Sequence, residues 1–209
     1  MTKNVGSAGT HHLNPKVVQN AFRAFDYAAD TDRKLQLYVV LHFQETPEMC
    51  ATTIFKKVRH KYRDWLVYKN RQLGRRMTPD YMATFENPSE ATPHANWVLS
   101  LPAELHSEFE RKLPQWLERA QKAPVRPFDI KITKINEGTE KTLAKYVLKG
   151  VNPAYVEHFY LEKVYEENGP QGHVVGRRAV ISRSLGMRAR QATGWRPRPR
   201  RTKGQRANV

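Results

Sequence analysis

The chain has 209 residues, with 36 Lys and Arg against 20 Asp and Glu, a formal net charge of +16 and 39% hydrophobic residues. That length suits one core with peripheral additions, and the charge points to a polyanionic partner, above all nucleic acid. Cys50 stands alone, which excludes an internal disulfide framework or a multi-cysteine zinc site and leaves oxygen and imidazole as the ligands for any metal.

Residues 1–15, "MTKNVGSAGTHHLNP", are polar and Gly-rich, lack the apolar stretch of a secretory signal and read as disordered. Val18, Phe22, Phe25 and Ala28 have helical spacing over Val17 to about Asp32. "LQLYVVLHF" (35–43) reads as a mostly buried strand. Thr46-Pro47-Glu48 is expected to open a long helix that Gly74 stops, with Phe55, Val58, Tyr62, Trp65 and Leu66 on its apolar side. A second strand is expected at Tyr81–Glu86, then a turn and a third strand from His94. Pro102 begins another helix, in which Pro114 should introduce a kink or break. "FDIKITKI" (128–135) alternates as a fourth strand, a helix runs from Thr139 to Leu148, and one more helix is expected after Pro153. No run approaches the roughly 20 apolar residues that span a bilayer, so a cytoplasmic protein without a membrane partner is expected.

The order of elements predicts an α+β fold, a central antiparallel sheet with flanking helices, in one domain over residues 16–172. From His173 onward there are ten Arg and one Lys with no Asp or Glu, so this segment carries eleven of the sixteen net charges. It reads as a basic, largely flexible C-terminal tail over 173–209. Arg177, Arg178, Arg183, Arg188, Arg190, Arg196, Arg198, Arg200, Arg201 and Lys203 are its nucleic-acid-binding candidates.

Two constellations carry chemistry. A hairpin through residues 87–93 would bring Glu86 to His94, and His94 and Asn96 share a strand face at a spacing of two. A carboxylate, an imidazole and an amide oxygen suit Mg²⁺ or Mn²⁺ and suit zinc poorly. Glu90 competes for the place of Glu86, and His42 on the first strand is a further candidate to line the pocket. Downstream, "AKYVLKG" (144–150) puts Tyr146 and Lys149 on one helix face, where an ammonium would favour the phenolate and offset charge on a phosphate under attack. "YLEK" repeats the spacing with Tyr160 and Lys163, so spacing alone does not choose between them. Lys145 and Lys149 flank Tyr146, whereas Glu157 and Glu162 flank Tyr160, which favours Tyr146.

In combination and order, these residues resemble the HUH-type single-strand endonucleases, the replication initiators (Rep proteins) of rolling-circle plasmids and single-stranded DNA phages. "LYVVLHF" looks like their apolar-strand motif, "PHANWVLSLP" their His-hydrophobic-His strand and "AKYVLKG" their Tyr-x-x-Lys helix, over about residues 35–150. Asn96 stands where the commonest pattern has a second His, and Ala95 where a bulky apolar residue is usual. The resemblance implies a ferredoxin-like or RRM-like sheet with Mg²⁺ or Mn²⁺ on Glu86, His94 and Asn96, Tyr146 as nucleophile and Lys149 assisting at the phosphate.

The activity so implied is nicking and strand transfer on single-stranded or origin DNA through a 5′-phosphotyrosine, initiating rolling-circle replication. No Walker-type glycine loop occurs, so a host helicase would unwind the duplex and a host polymerase extend the 3′ end. Trp97, Trp65 and Tyr81 are candidates for stacking on bases, with Trp97 expected on the face opposite His94. A single-strand transposase of the same superfamily shares the motif order, and a non-catalytic basic nucleic-acid-binding protein would share the charge.

Overall fold

Alternating side chains divide a five-stranded sheet into two faces, and each face is covered by a pair of helices. The computed structural model describes residues 9–31, 33–89 and 91–197. In chain order these form β1 (Gly9–Thr10), α1 (Pro15–Asp30), β2 (Leu37–His42), α2 (Ala51–Leu73), β3 (Tyr81–Glu86), β4 (His94–Leu99) and α3 (His106–Gln121). There follow β5 (Ile130–Lys134), α4 (Glu140–Val147), α5 (Glu162–Asn168), β6 (Val174–Val175), β7 (Ala179–Ile181) and α6 (Met187–Ala192). The sheet order is β5-β2-β4-β3-β7 and every pairing is antiparallel, while β1 and β6 form a separate two-stranded ribbon. The expected α+β class and all four expected strands are present.

Leu37, Val39 and Leu41 of β2 face α2 and α3, together with Ala83, Phe85, Ala95, Trp97 and Leu99. Trp97 is fully buried there, its ring 5.3 Å from Phe55 and 5.2 Å from Tyr62 by centroid, both edge-on. Trp65 and Tyr81 are buried in the same core, so the three candidate base-stacking aromatics serve packing, with Trp97 on the face opposite His94 as expected. The alternate residues of β2, β3 and β4 face α1 and α4, where Met82 and Val98 pack against Ala21, Phe25, Ala144 and Val147. No helix of the described residues is long and apolar enough to cross a membrane.

Helix starts and stops follow local chemistry. Asn14 caps α1 through its side chain, accepting from the Lys16 N–H at 2.9 Å, with Pro15 in the first turn. The second helix begins at Ala51 rather than at Thr46: Thr46 and Met49 exchange backbone hydrogen bonds around Pro47, and the Glu45 carboxylate accepts from the Ala51 N–H at 2.5 Å. Gly74 ends α2 in the left-handed region at φ 61°, as expected. Pro114 lies within one continuous helix, whose buried face of Phe109, Leu113, Trp116 and Leu117 holds it together.

The expected boundaries at both ends are corrected for the described residues, while the expected disorder over 1–8 and the expected tail over 198–209 lie outside them. Leu13 is buried and its N–H donates to the Gly150 carbonyl at 2.7 Å, so residues 9–15 belong to the fold. The segment after His173 supplies β6, β7 and α6, with β7 extending the sheet beside β3. Arg178 is 4% exposed and donates to the carbonyls of Thr10, Gly172 and Gln171, a role in folding rather than in binding nucleic acid. Burial pushes its guanidinium down to about 10, with Glu86 opposing that shift. Arg190 is also buried and donates to Leu185 and Asn20. Gly172 is tied as closely: a Cβ there would meet the Asn87 carbonyl oxygen at 1.6 Å. Arg177, Arg183, Arg188 and Arg196 are exposed, and Arg198, Arg200, Arg201 and Lys203 lie outside the described residues.

Candidate active site

The hairpin of β3 and β4 puts Glu86 directly opposite His94, on the face that α4 approaches. Glu86 Oε2 lies 2.9 Å from His94 Nε2, and Glu86 Oε1 accepts from Lys149 Nζ at 2.6 Å. Both side chains of the Glu86–Lys149 pair are only 3% exposed. Burial would push the Glu86 carboxyl up, but the hydrogen bond with His94 and the Lys149 ammonium hold it below the usual carboxylate range.

His94 is held from its other nitrogen as well, with Nδ1 3.1 Å from the Thr92 carbonyl oxygen. A carbonyl only accepts, so Nδ1 carries a proton while Nε2 faces the ionised carboxylate. His42 stands opposite His94 on the other neighbouring strand, ring centroids 5.1 Å apart, with Nδ1 2.8 Å from Thr92 Oγ1. One loop residue therefore orients both imidazoles. Burial and then His94 hold His42 below its ordinary value, in the neutral form that binds metals.

Lys149 lies just past the end of α4, where its N–H donates to the Tyr146 carbonyl at 3.2 Å. The turn keeps the two side chains together, with Nζ 3.9 Å from the Tyr146 ring centroid. Tyr146 is 37% exposed, and Ala144 and Val147 anchor its helix in the α1 face of the core.

Asn96 takes a different place from the one expected. Its amide oxygen accepts from the Tyr38 hydroxyl at 2.5 Å, and its Nδ2 has no partner among the described residues. Tyr38 in turn meets Tyr146 edge-on, centroids 6.4 Å apart. Burial, then Tyr146 and Glu86, push the Tyr38 hydroxyl far up, so it stays a neutral phenol. The structure thus ties Asn96 to the tyrosines rather than to the Glu86–His94 pair.

The rival tyrosine is placed elsewhere. Tyr160 sits at φ 56° ahead of α5, so it shares no helix with Lys163, whose side chain is 86% exposed beside Glu167. Tyr160 lines a groove of about 530 Å³ with Phe22, Phe25 and Lys145, and that lining includes none of Glu86, His94, Tyr146 or Lys149. Glu90 lies outside the described residues. Sequence reasoning missed Lys131, an exposed cation on the same sheet face opposite Val40; the alternation of β5 was the signal that could have found it.

Among the described residues no group of three or more His, Cys, Asp and Glu side chains converges as a metal cage. Glu86 and His94 are the side chains that could hold a Mg²⁺ or Mn²⁺ ion, which would have to displace a present contact of the buried Glu86 carboxylate with His94 or Lys149. No protein-family model and no curated protein matches the chain.

Proposed function

We propose that this protein is an HUH-type endonuclease that nicks and transfers single-stranded DNA, as a rolling-circle replication initiator does. The observation that carries the reading is the meeting of Tyr146, Lys149, Glu86 and His94, which come from three separated stretches of sequence. A sheet with a His strand at its centre and a Tyr-x-x-Lys helix against it is the arrangement that the motif resemblance implies.

Glu86 and His94 would hold Mg²⁺ or Mn²⁺, with the neutral His42 beside them. When bound, such an ion withdraws electron density from a scissile phosphate and neutralises charge on its oxygens. The Tyr146 oxygen attacks phosphorus, the bond from phosphorus to the 3′ oxygen breaks, the phenolic proton passes to water and the 3′ oxygen takes up a proton. The product is a 5′-phosphotyrosine and a free 3′-OH, with the energy of the phosphoester conserved. Lys149 places an ammonium against the Tyr146 ring, and Glu86 fixes where that ammonium stands. Tyr38, braced by Asn96, supports the Tyr146 ring from its edge. The host helicase and polymerase belong to this same proposal.

Incubation with random-sequence single strands and Mn²⁺, followed by a denaturing gel, tests it. A covalent protein–DNA adduct is expected, lost in Tyr146→Phe with binding retained. No adduct from the unaltered protein, or an adduct that persists in Tyr146→Phe, would overturn the assignment.

A further inference from the structure

The stretch Arg126-Pro127-Phe128-Asp129 makes a tight turn into β5. Pro127 pre-sets the first turning residue, and the Asp129 N–H donates to the Arg126 carbonyl at 3.0 Å. The Asp129 carboxylate closes the turn again, accepting from the Arg126 backbone N–H at 2.9 Å and from its Nε at 3.0 Å. Held in this way, the guanidinium lies 4.8 Å from the centroid of the Phe128 ring. Phe128 is nevertheless 65% exposed. A pinned turn therefore presents an aromatic ring with a cation behind it and water in front.

The turn adjoins the candidate active site. The His42 N–H donates to the Asp129 carbonyl at 2.8 Å, so Asp129, just ahead of β5, continues the row that Glu86, His94 and His42 form across β3, β4 and β2. Two strand spacings, roughly 10 Å, separate Asp129 from His94. Lys131 stands exposed on the site face one step further along the same edge strand. The only acid of the turn, Asp129, is buried and engaged by Arg126 and Gln44, so no exposed carboxylate of the turn opposes the charge of Lys131 beside the aromatic ring.

We propose that Phe128 is a stacking platform for an unpaired base, with Arg126 and Lys131 contacting phosphates, for a single strand that enters the Glu86–His94 site. The inference rests on the single-stranded DNA reading above. A ring backed by a guanidinium suits this partner because every base has a π-face, and because the turn is ordered before binding.

Fluorescence anisotropy on the full chain, over a range of salt, would compare labelled oligothymidylate with an abasic phosphodiester strand of equal length. Phe128→Ala is expected to weaken oligothymidylate binding on the order of 5- to 100-fold, with an unchanged salt slope and no effect on the abasic strand. Phe128→Tyr should bind as the unaltered protein does, and Lys131→Ala should reduce the salt slope on both strands by about 0.7. Wild-type affinity in Phe128→Ala, or an equal loss on both strands, would overturn the platform. The adduct assay separates the two ideas. Base-selective loss in Phe128→Ala without any adduct would sustain the platform and remove the nicking chemistry, whereas an adduct with undiminished Phe128→Ala binding would do the reverse.

Discussion

Lys149 Nζ lies 2.6 Å from Glu86 Oε1 across 63 residues of sequence, and neither side chain reaches water appreciably. The pair joins the tyrosine helix to the histidine hairpin. Removing one partner of a buried pair strands the other charge, so Lys149→Met should lower unfolding free energy by about 3–5 kcal/mol. Urea denaturation at neutral pH measures this, and Glu86→Gln in the same background should recover part of the loss. An unchanged midpoint in Lys149→Met would refute the structural role of the pair.

Tyr38→Phe keeps the ring against Tyr146 but removes the hydroxyl that Asn96 accepts. Adduct formation should slow about tenfold, an effect of roughly 1.4 kcal/mol, while single-strand affinity stays constant. Asn96→Ala added to Tyr38→Phe should slow it little further, because the two residues act as one unit. Were Asn96 a metal ligand instead, the double variant would need markedly more Mn²⁺.

His42→Ala removes the imidazole beside His94. The Mn²⁺ concentration for half-maximal adduct formation should rise about 10-fold, the scale on which groups supporting a metal site act. A curve that superimposes on wild type would leave His42 as a packing residue.

Asp129 predicts a pH dependence of stability. Burial would raise its carboxyl, but hydrogen bonds from the Arg126 side chain and backbone outweigh this and depress it. A depressed carboxyl contributes stability that is full above the unfolded value of about 3.9 and is lost as pH falls through the folded value. Asp129→Asn should therefore be destabilised at pH 7, and its gap to wild type should close as the pH is taken below about 4. A gap that stays constant between pH 7 and pH 3 would contradict the ion pair.

Arg178→Ala leaves three carbonyls, those of Thr10, Gly172 and Gln171, without their donor. A loss of about 3 kcal/mol or more is expected in a denaturant titration. Deleting the chain from His173 onward also removes the edge strand β7, and it should prevent cooperative unfolding altogether. A deletion that unfolds like the full chain would restore the reading of this segment as a tail.

Much of the site was legible because it depends on period and order. Alternation placed His94 and Asn96 on one face, the short hairpin placed Glu86 beside His94, and the Tyr-x-x-Lys spacing placed Tyr146 with Lys149. What sequence spacing could not supply was partnership at long range. Lys149 read as a free helper at the phosphate, since nothing local reveals a carboxylate 63 residues earlier. Asn96 read as a ligand, since its choice of Tyr38 depends on which strand lies next to β4. Arg178 sat in an arginine-rich stretch whose composition argued for solvent, although three carbonyls wait for it inside the fold. The three residues of β7 are too few to announce a strand, and they pair only because β3 offers a free edge.

The row from Asp129 to Glu86 has a consequence for how errors in this protein would be felt. Glu86, His94 and His42 sit on neighbouring strands at matched positions, and Asp129 joins them through the His42 N–H, so their convergence is written in the backbone ladder. A slip of one residue in β4 would carry His94 into the aromatic interior and turn Trp97 out towards the tyrosines. Loss of the packed tryptophan and loss of the Glu86–His94 contact would then be a single event, and a chain that has packed its tryptophan correctly has already aimed its histidine.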